Sequence, residues 1–138
     1  MTTTTDLDRT VETYLAFWNA DGDEQRRIAA AVFAPDVEHR APIGVTTGVG
    51  PLVEFRRQLT AEIGAITVTA RRAPDLHNDR ARVPWDIVLA DGTSFGTGTD
   101  VLELDGDGRV RAITTFIDRP PAGFDLHAHG EEEPARAG

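Results

Sequence analysis

The segment GTGTDVLELDGDGRV, residues 96–110, predicts two β-strands joined by a tight turn. Aspartate and glycine alternate at residues 105–108, and both tolerate the positive φ angles that hairpin turns require. Because side chains alternate across a strand, Asp100 shares a face with Leu102 and Leu104, and we expect that face to point inward. A carboxylate on an inward face has to be paired with a donor, protonated or chemically active.

The composition is that of one globular domain of 138 residues with a hydrophobic fraction of 40%. Fourteen basic and 23 acidic residues give a net charge of −9, which argues against nucleic acids and anionic membranes as partners. The absence of cysteine excludes disulfide scaffolds and thiolate metal sites. No apolar run approaches the roughly 20 residues of a membrane span, and the polar residues 1–5 do not resemble a signal peptide. We therefore expect a cytoplasmic protein.

Apolar residues ahead of the hairpin recur at three- and four-residue steps, the spacing of amphipathic helices. Tyr14 and Trp18 belong to the apolar stripe of the first helix, and Phe55 belongs to that of the third. A buried tyrosine hydroxyl needs a hydrogen-bond partner. The predicted helices span about residues 6–19, 23–34 and 51–63.

Elsewhere the apolar residues alternate with a period of two, which predicts strands. In the short strand between the second and third helices, His39 points the same way as Val37 and Ala41. Trp85 lies on the apolar face of a later strand. The strands span about residues 37–41, 66–74, 80–90, the stretch that contains Asp100, and 110–118. Helices followed by strands, in the order α-α-β-α-β-β-β-β, predict an α+β fold.

The single predicted domain covers residues 6–118, between flexible tails at residues 1–5 and 120–138. His127 and His129 fall in the second tail, where no further ligand is fixed beside them. We therefore interpret them as solvated side chains and predict no metal site.

Three stretches resemble the Δ5-3-ketosteroid isomerases: YLAFWNADGD at residues 14–23, FAPDVEHRAPIG at residues 33–44 and TDVLELDGDGRV at residues 99–110. The wider group is the nuclear transport factor 2-like, or SnoaL-like, superfamily, and the resemblance covers about residues 6–118. It implies a cone-shaped, curved antiparallel or mixed sheet, wrapped by three N-terminal helices, that encloses a hydrophobic pocket.

The resemblance also implies roles for particular residues. Tyr14 and Asp100 match the tyrosine and the aspartic acid that form the oxyanion hole of the isomerases, where an apolar site keeps the acid neutral. The isomerase base is an aspartate directly before a Pro-x-Gly sequence, and Ala41 stands at that position before residues 42–44. His39 is the candidate replacement, since a neutral histidine is a competent base.

We therefore expect an enzyme that uses acid–base and enolate chemistry on a hydrophobic, carbonyl-containing small molecule, without metal or cofactor. Its activity would be that of an isomerase or a polyketide cyclase. A neutral Asp100 would donate a hydrogen bond to the enolate, whereas an ionised Asp100 would itself be the base, as the pocket aspartate of the polyketide cyclases implies. An epoxide hydrolase is disfavoured. The carboxylates that activate water in the limonene-type epoxide hydrolases would stand near Pro84 and Thr115, and neither position has a carboxylate. The candidate catalytic residues are Asp100, Tyr14 and His39, and the candidate substrate-binding residues are Trp18, Trp85, Phe55 and Phe116.

The alternative is a non-catalytic module of the same fold that binds a hydrophobic ligand or serves as a dimeric scaffold. Ala41 favours this alternative, because it stands where the isomerases carry their base. In either case we expect a homodimer through the open face of the sheet, with Val101, Ile113 and Ile117 on or near the face opposite Asp100.

Overall fold

The computed structural model describes residues 4–121, with side chains from residue 6 onward. Within this range three helices precede most of a seven-stranded sheet. The helices are α1 (Thr4–Trp18), α2 (Gly22–Val32) and α3 (Val49–Ile63). The strands are β1 (Phe33–Ala41), β2 (Gly44–Thr47), β3 (Ile66–Ala70), β4 (Asp75–His77), β5 (Arg80–Leu89), β6 (Ser94–Leu104) and β7 (Val110–Arg119). His127, His129 and most of both predicted tails lie outside the described residues.

The sheet is mixed and its strand order is β2-β1-β7-β6-β5-β3, with β4 paired to β5. Strands β1 and β7 are parallel, and the other pairs are antiparallel. The predicted α+β class is confirmed. The sequence did not predict β2 and β4, because all four residues of β2 are exposed and β4 has only three residues. Neither strand therefore carries an alternating apolar pattern.

The inward face of β6 is the one that strand alternation predicts. Asp100, Leu102 and Leu104 are buried together with Gly96 and Gly98, whereas the intervening residues are only half-buried. The turn after β6 is held by the Asp105 carboxylate, which accepts hydrogen bonds from the backbone N–H groups of Asp107 and Arg109 at 2.9 and 3.0 Å. This turn returns the chain along β6, so that β7 covers its other edge.

Helix α1 supplies one wall of the core through a single stripe of side chains. Leu7, Val11, Tyr14 and Phe17 are all buried, and they pack against residues of α2 and the sheet. Their three- and four-residue spacing keeps them on one face of the helix. The stripe brings the Tyr14 hydroxyl over the inner face of the sheet.

Helix α3 turns a different face inward from the predicted one. Leu52 and Arg56 are its buried residues, whereas Phe55 is 43% exposed. The Arg56 Nε donates to the carbonyl oxygen of Trp18 at 2.7 Å, at the C-terminal end of α1. A cation is favourable at that end of a helix, and the aliphatic stem of arginine packs like an apolar side chain. Arg56 is therefore buried on α3, whereas the sequence pattern predicts that its neighbour Phe55 faces inward.

The outer face of the sheet also departs from the prediction. The β6–β7 register places Ile113 opposite Leu102 and Ile117 opposite Gly98, so both isoleucines lie on the inner face with Asp100. Their predicted place on or near the outer face is wrong, because a register irregularity between Glu103 and Leu104 shifts β7 by one residue. Within residues 4–121, no helix is long and apolar enough to span a membrane.

Candidate active site

Asp100 lies at the centre of the inner face of β6 and is 6% exposed. Its Oδ2 accepts a hydrogen bond from the Tyr14 hydroxyl at 2.5 Å. Its Oδ1 accepts two more, from Trp85 Nε1 at 2.9 Å and from Thr115 Oγ1 at 2.8 Å. Among the residues that the structure describes, no lysine or arginine forms an ion pair with this carboxyl group. Asp100 is thus a buried acid held by neutral donors.

Tyr14 reaches Asp100 from helix α1 and is 1% exposed. Its ring makes edge-on contacts with Trp18 and Phe33, with ring centroids 6.3 and 6.0 Å apart. These contacts fix the ring, because edge-to-face packing is a preferred geometry for aromatic pairs. The predicted pairing of Tyr14 with Asp100 is present in the structure.

Trp85 reaches the same carboxyl group from the neighbouring strand, because residue 98 is a glycine. Trp85 lies opposite Gly98 in the β5–β6 register. A Cβ atom at residue 98 would lie 2.2 Å from Cζ2 of the Trp85 ring. The indole therefore lies across β6 and directs Nε1 to Asp100. A glycine inside a strand often marks such a close approach.

His39 belongs to the same network, although it does not bond to Asp100 directly. In the parallel pairing of β1 with β7, His39 lies beside Ile113, which places it on the inner face. His39 Nε2 lies 3.0 Å from Thr115 Oγ1, the hydroxyl that also bonds to Asp100. Nδ1, the other ring nitrogen, has no hydrogen-bond partner within residues 4–121. His39 on β1, Thr115 on β7 and Asp100 on β6 are thus connected by two consecutive hydrogen bonds across three strands.

Burial sets the protonation of the three titratable groups. It raises the pKa of Asp100, and the hydrogen bonds from Tyr14, Thr115 and Trp85 oppose that rise. Burial lowers the pKa of His39 below 6.5, and the nearby Asp100 charge opposes that fall. The pKa of Tyr14 lies well above 10.0, chiefly through burial and secondly through the Asp100 charge. At neutral pH, His39 is therefore mostly uncharged and Tyr14 keeps its proton.

The structure brings most of the predicted substrate-binding residues to this side of the sheet. Trp18 contacts Tyr14, and the Phe55 ring lies edge-on to Trp18 with a centroid distance of 6.2 Å. The buried Trp18 Nε1 has no hydrogen-bond partner of good geometry within the described residues. Its polar approach to the Tyr14 hydroxyl acts against burial and lowers the pKa of Tyr14. Phe116 is the exception: it lies opposite Thr99 on the outer face and is 56% exposed. The structure therefore does not bring Phe116 together with the other candidate substrate-binding residues.

Thr115 is a functional candidate that no sequence pattern marks. It lies directly opposite Asp100 on β7 and is half-buried. A threonine in a strand is ordinary, so only its register with Asp100 marks it. Within residues 4–121, no group of three or more histidine, aspartate or glutamate side chains could hold a metal ion.

Comparison with known proteins settles the fold. No family model matches the chain, and neither does any curated protein. Among solved structures, a candidate isomerase of the SnoaL-like family from Agrobacterium tumefaciens superposes with a TM-score of 0.75. The two chains are 24% identical, and the match covers 83% of this chain and 99% of the other. This chain has the SnoaL-like, NTF2-like fold.

Two further structures share this fold. A candidate SnoaL-like polyketide cyclase from Jannaschia sp. CCS1 has a TM-score of 0.67 and 16% identity, over 83% of this chain and 86% of the other. An NTF2-like protein of unknown function from Exiguobacterium sp. 255-15 has a TM-score of 0.63 and 19% identity, over 79% of this chain and 98% of the other. Likeness at this level of identity extends to the fold alone, since function resides in the residues that a fold carries.

Proposed function

We propose that this SnoaL-like protein is an enzyme that removes and returns a proton next to the carbonyl group of a hydrophobic small molecule. The observation that carries the proposal is Asp100, a buried carboxyl group held by three neutral donors and no cation within the described residues. Burying a carboxyl group without a cationic partner costs stability. A group kept at such a cost, with its pKa raised by burial, is typical of a catalytic acid or base.

The neighbouring residues supply the other parts of this chemistry. Proton removal beside a carbonyl leaves an enolate, whose oxygen has to be stabilised by a hydrogen-bond donor. Tyr14 keeps its proton at neutral pH and can act as that donor, whereas His39 is mostly neutral and can accept a proton. Trp18 and Phe55 offer an aromatic surface for an apolar substrate. The candidate isomerase and candidate cyclase among the structural neighbours are consistent with this class of reaction.

A non-catalytic binding module is the second candidate, and one observation favours it. The Tyr14 hydroxyl donates to Asp100, so the two groups satisfy each other without a ligand. A substrate would have to displace that bond before Tyr14 could donate to an enolate oxygen. A binder would instead keep the bond intact and use only the apolar surface.

Deuterium exchange tests the proposal whatever product the enzyme forms. The protein is incubated in D₂O with Δ5-3-ketosteroids and with aromatic polyketide-type ketones, and deuterium beside the carbonyl is measured by mass spectrometry. We expect the wild type to catalyse exchange and Asp100→Asn to lower the rate by about 10²- to 10⁴-fold. Asp86→Asn is the matched control, because Asp86 is a half-buried acid on β5 that accepts a hydrogen bond from Ser94 at 2.5 Å.

Each outcome separates the two candidate functions. Equal exchange by the wild type and Asp100→Asn would remove Asp100 from the chemistry. Compounds that raise the melting temperature without any exchange would identify a binding module.

A further inference from the structure

The Thr115 hydroxyl has two hydrogen-bond partners but only one proton. Its Oγ1 lies 2.8 Å from Asp100 Oδ1 and 3.0 Å from His39 Nε2. A hydroxyl group can donate to one of these atoms at a time, although it can accept from the other. The direction of one hydrogen bond therefore fixes the direction of the other.

Two arrangements satisfy this constraint. When Asp100 is ionised, its Oδ1 can only accept, so Thr115 donates to Asp100 and His39 Nε2 carries the hydrogen that points at Thr115. The lone pair of a neutral His39 then lies on Nδ1. When Asp100 carries a proton on Oδ1, both bonds reverse: Asp100 donates to Thr115, Thr115 donates to Nε2, and Nδ1 carries the ring hydrogen.

The order of the strands makes Thr115 the link between the other two residues. His39 is on β1 and Asp100 is on β6, with β7 between them. Adjacent strands are about 4.8 Å apart, so the two backbones are separated by about 10 Å. Thr115, on the central strand, bonds to both side chains. Trp85 donates to the same Oδ1 atom as Thr115, and Tyr14 donates to Oδ2.

We propose that Thr115 joins His39 and Asp100 into one proton relay, in which His39 Nδ1 is the atom that takes the substrate proton. This inference rests on the proposed proton-transfer function. The substrate C–H bond breaks, its electron pair stays on the substrate as an enolate, and the proton forms the Nδ1–H bond. The Nε2 proton passes to Thr115 Oγ1, and the Thr115 proton passes to Asp100 Oδ1. Histidine begins and ends neutral, and the negative charge moves from Asp100 to the substrate.

The relay explains how a lone histidine could replace a carboxylate base. A histidine that takes a proton by itself becomes a cation in a partly buried site, which costs desolvation energy. Passing the second ring proton to Asp100 avoids that cation. Thr115 itself does not touch the substrate: it passes a proton between His39 and Asp100 and fixes which ring nitrogen of His39 is free.

The variants Thr115→Val and Thr115→Ser test the relay. Valine has nearly the shape of threonine without the hydroxyl, and serine keeps the hydroxyl. We expect α-deuterium exchange to fall about 10- to 100-fold in Thr115→Val and to be largely restored in Thr115→Ser. Wild-type exchange that is unchanged in Thr115→Val would overturn the relay while leaving the proposed function in place. No exchange by the wild type would overturn both.

A second measurement reads the hydrogen-bond order without catalysis. The ring nitrogens of His39 are followed by ¹⁵N NMR at neutral pH, and the His39→Gln variant identifies their signals among those of the four histidines. We expect the Nε2–H form in the wild type and in Thr115→Ser. A wild-type ring with its hydrogen on Nδ1 would overturn the relay.

Discussion

The indole ring of Trp85 fills the space that a side chain at residue 98 would need. Gly98 lies opposite Trp85 in the sheet, and a Cβ atom there would lie 2.2 Å from Cζ2 of the indole and 2.5 Å from the Phe116 carbonyl oxygen. Because the ring can lie across β6, its Nε1 reaches Asp100 at 2.9 Å. One backbone position thus controls one of the three hydrogen bonds at the candidate catalytic acid.

We predict that Gly98→Ala destabilises the protein and weakens the bond between Trp85 and Asp100. The added methyl group has to displace the indole or the backbone of β7, and overpacking of this kind costs about 1–3 kcal/mol. Urea unfolding measures the loss, and tryptophan fluorescence reports the displaced ring. Gly106→Ala is the control, because a Cβ at that turn glycine meets nothing within 4 Å. Equal stability of the two variants would contradict the prediction.

The Tyr14–Asp100 bond leads to a prediction with a defined pH dependence. Tyr14→Phe keeps the aromatic ring but leaves Oδ2 of the buried carboxyl group without its donor, which costs about 1–3 kcal/mol. The lost bond favoured the ionised form, so the variant raises the pKa of Asp100 in the folded state still further. The loss of unfolding free energy should therefore be larger at pH values where wild-type Asp100 is ionised, and smaller in acid.

Chemical denaturation at several pH values measures this difference. The double variant Tyr14→Phe/Asp100→Asn is compared with Asp100→Asn alone, since no titrating acid remains at residue 100. In that background we expect the effect of Tyr14→Phe to be independent of pH. A loss that grows in acid in the wild-type background would show that the bond does not favour the ionised carboxyl group.

Much of this arrangement could be predicted from the sequence, because the decisive signals are local. Strand alternation and the turn at residues 105–108 are enough to place Asp100 on the inner face of β6. Helical spacing places Tyr14 on the buried face of α1. The partnership of these two residues follows from the family resemblance, since no local pattern relates positions 86 residues apart.

What could not be predicted depends on register and on side-chain direction. The irregularity between Glu103 and Leu104 brings Thr115 opposite Asp100, and a count outward from the Leu104–Val110 pair would bring Thr114 there instead. A shift of one residue exchanges the two faces for the residues beyond it on β7, which is why Ile117 lies on the inner face and Phe116 on the outer one. Arg56 likewise turns inward because of a single carbonyl oxygen on another helix.

His39 should make the stability of the protein depend on pH in the acid range. Burial lowers the pKa of His39 in the folded state below 6.5, so the unfolded chain binds the proton more tightly. The stability that neutral His39 contributes is therefore fully present above pH 6.5 and is lost as the pH falls through its folded pKa. Each unit of pKa lowering corresponds to about 1.4 kcal/mol.

The variant His39→Gln isolates this contribution. We expect the difference in unfolding free energy between the wild type and His39→Gln to decrease between pH 7.5 and pH 5. His77→Gln serves as the control, because His77 is exposed on β4. The same difference in unfolding free energy is measured for His77→Gln. If the His39→Gln value changes with pH no more than the His77→Gln value does, burial does not control the titration of His39.

The outer face of the sheet suggests how two copies of the chain could associate. Phe116 on β7 and Val45 on β2 are 56% and 61% exposed. Val45 lies in one row with Arg40, Thr114 and Val101 across four adjacent strands, and Phe116 lies in the next row. Exposed apolar side chains grouped on one sheet face are typical of protein interfaces. We propose a homodimer through this outer face, which Val101 shares and which Ile113 and Ile117 do not.

Phe116→Asp should therefore dissociate the dimer without disturbing the candidate active site. A carboxylate buried at this interface would lose its hydration, which costs several kcal/mol in association free energy. Light scattering at micromolar concentration should give about twice the chain mass of 15.0 kDa for the wild type and the single-chain mass for the variant. Phe55→Asp is the control, because Phe55 is a similarly exposed phenylalanine on helix α3, away from the outer face. A wild-type protein with the light-scattering mass of a monomer would contradict the proposed dimer. A dimer that persists in Phe116→Asp but dissociates in Phe55→Asp would place the interface at the helices instead.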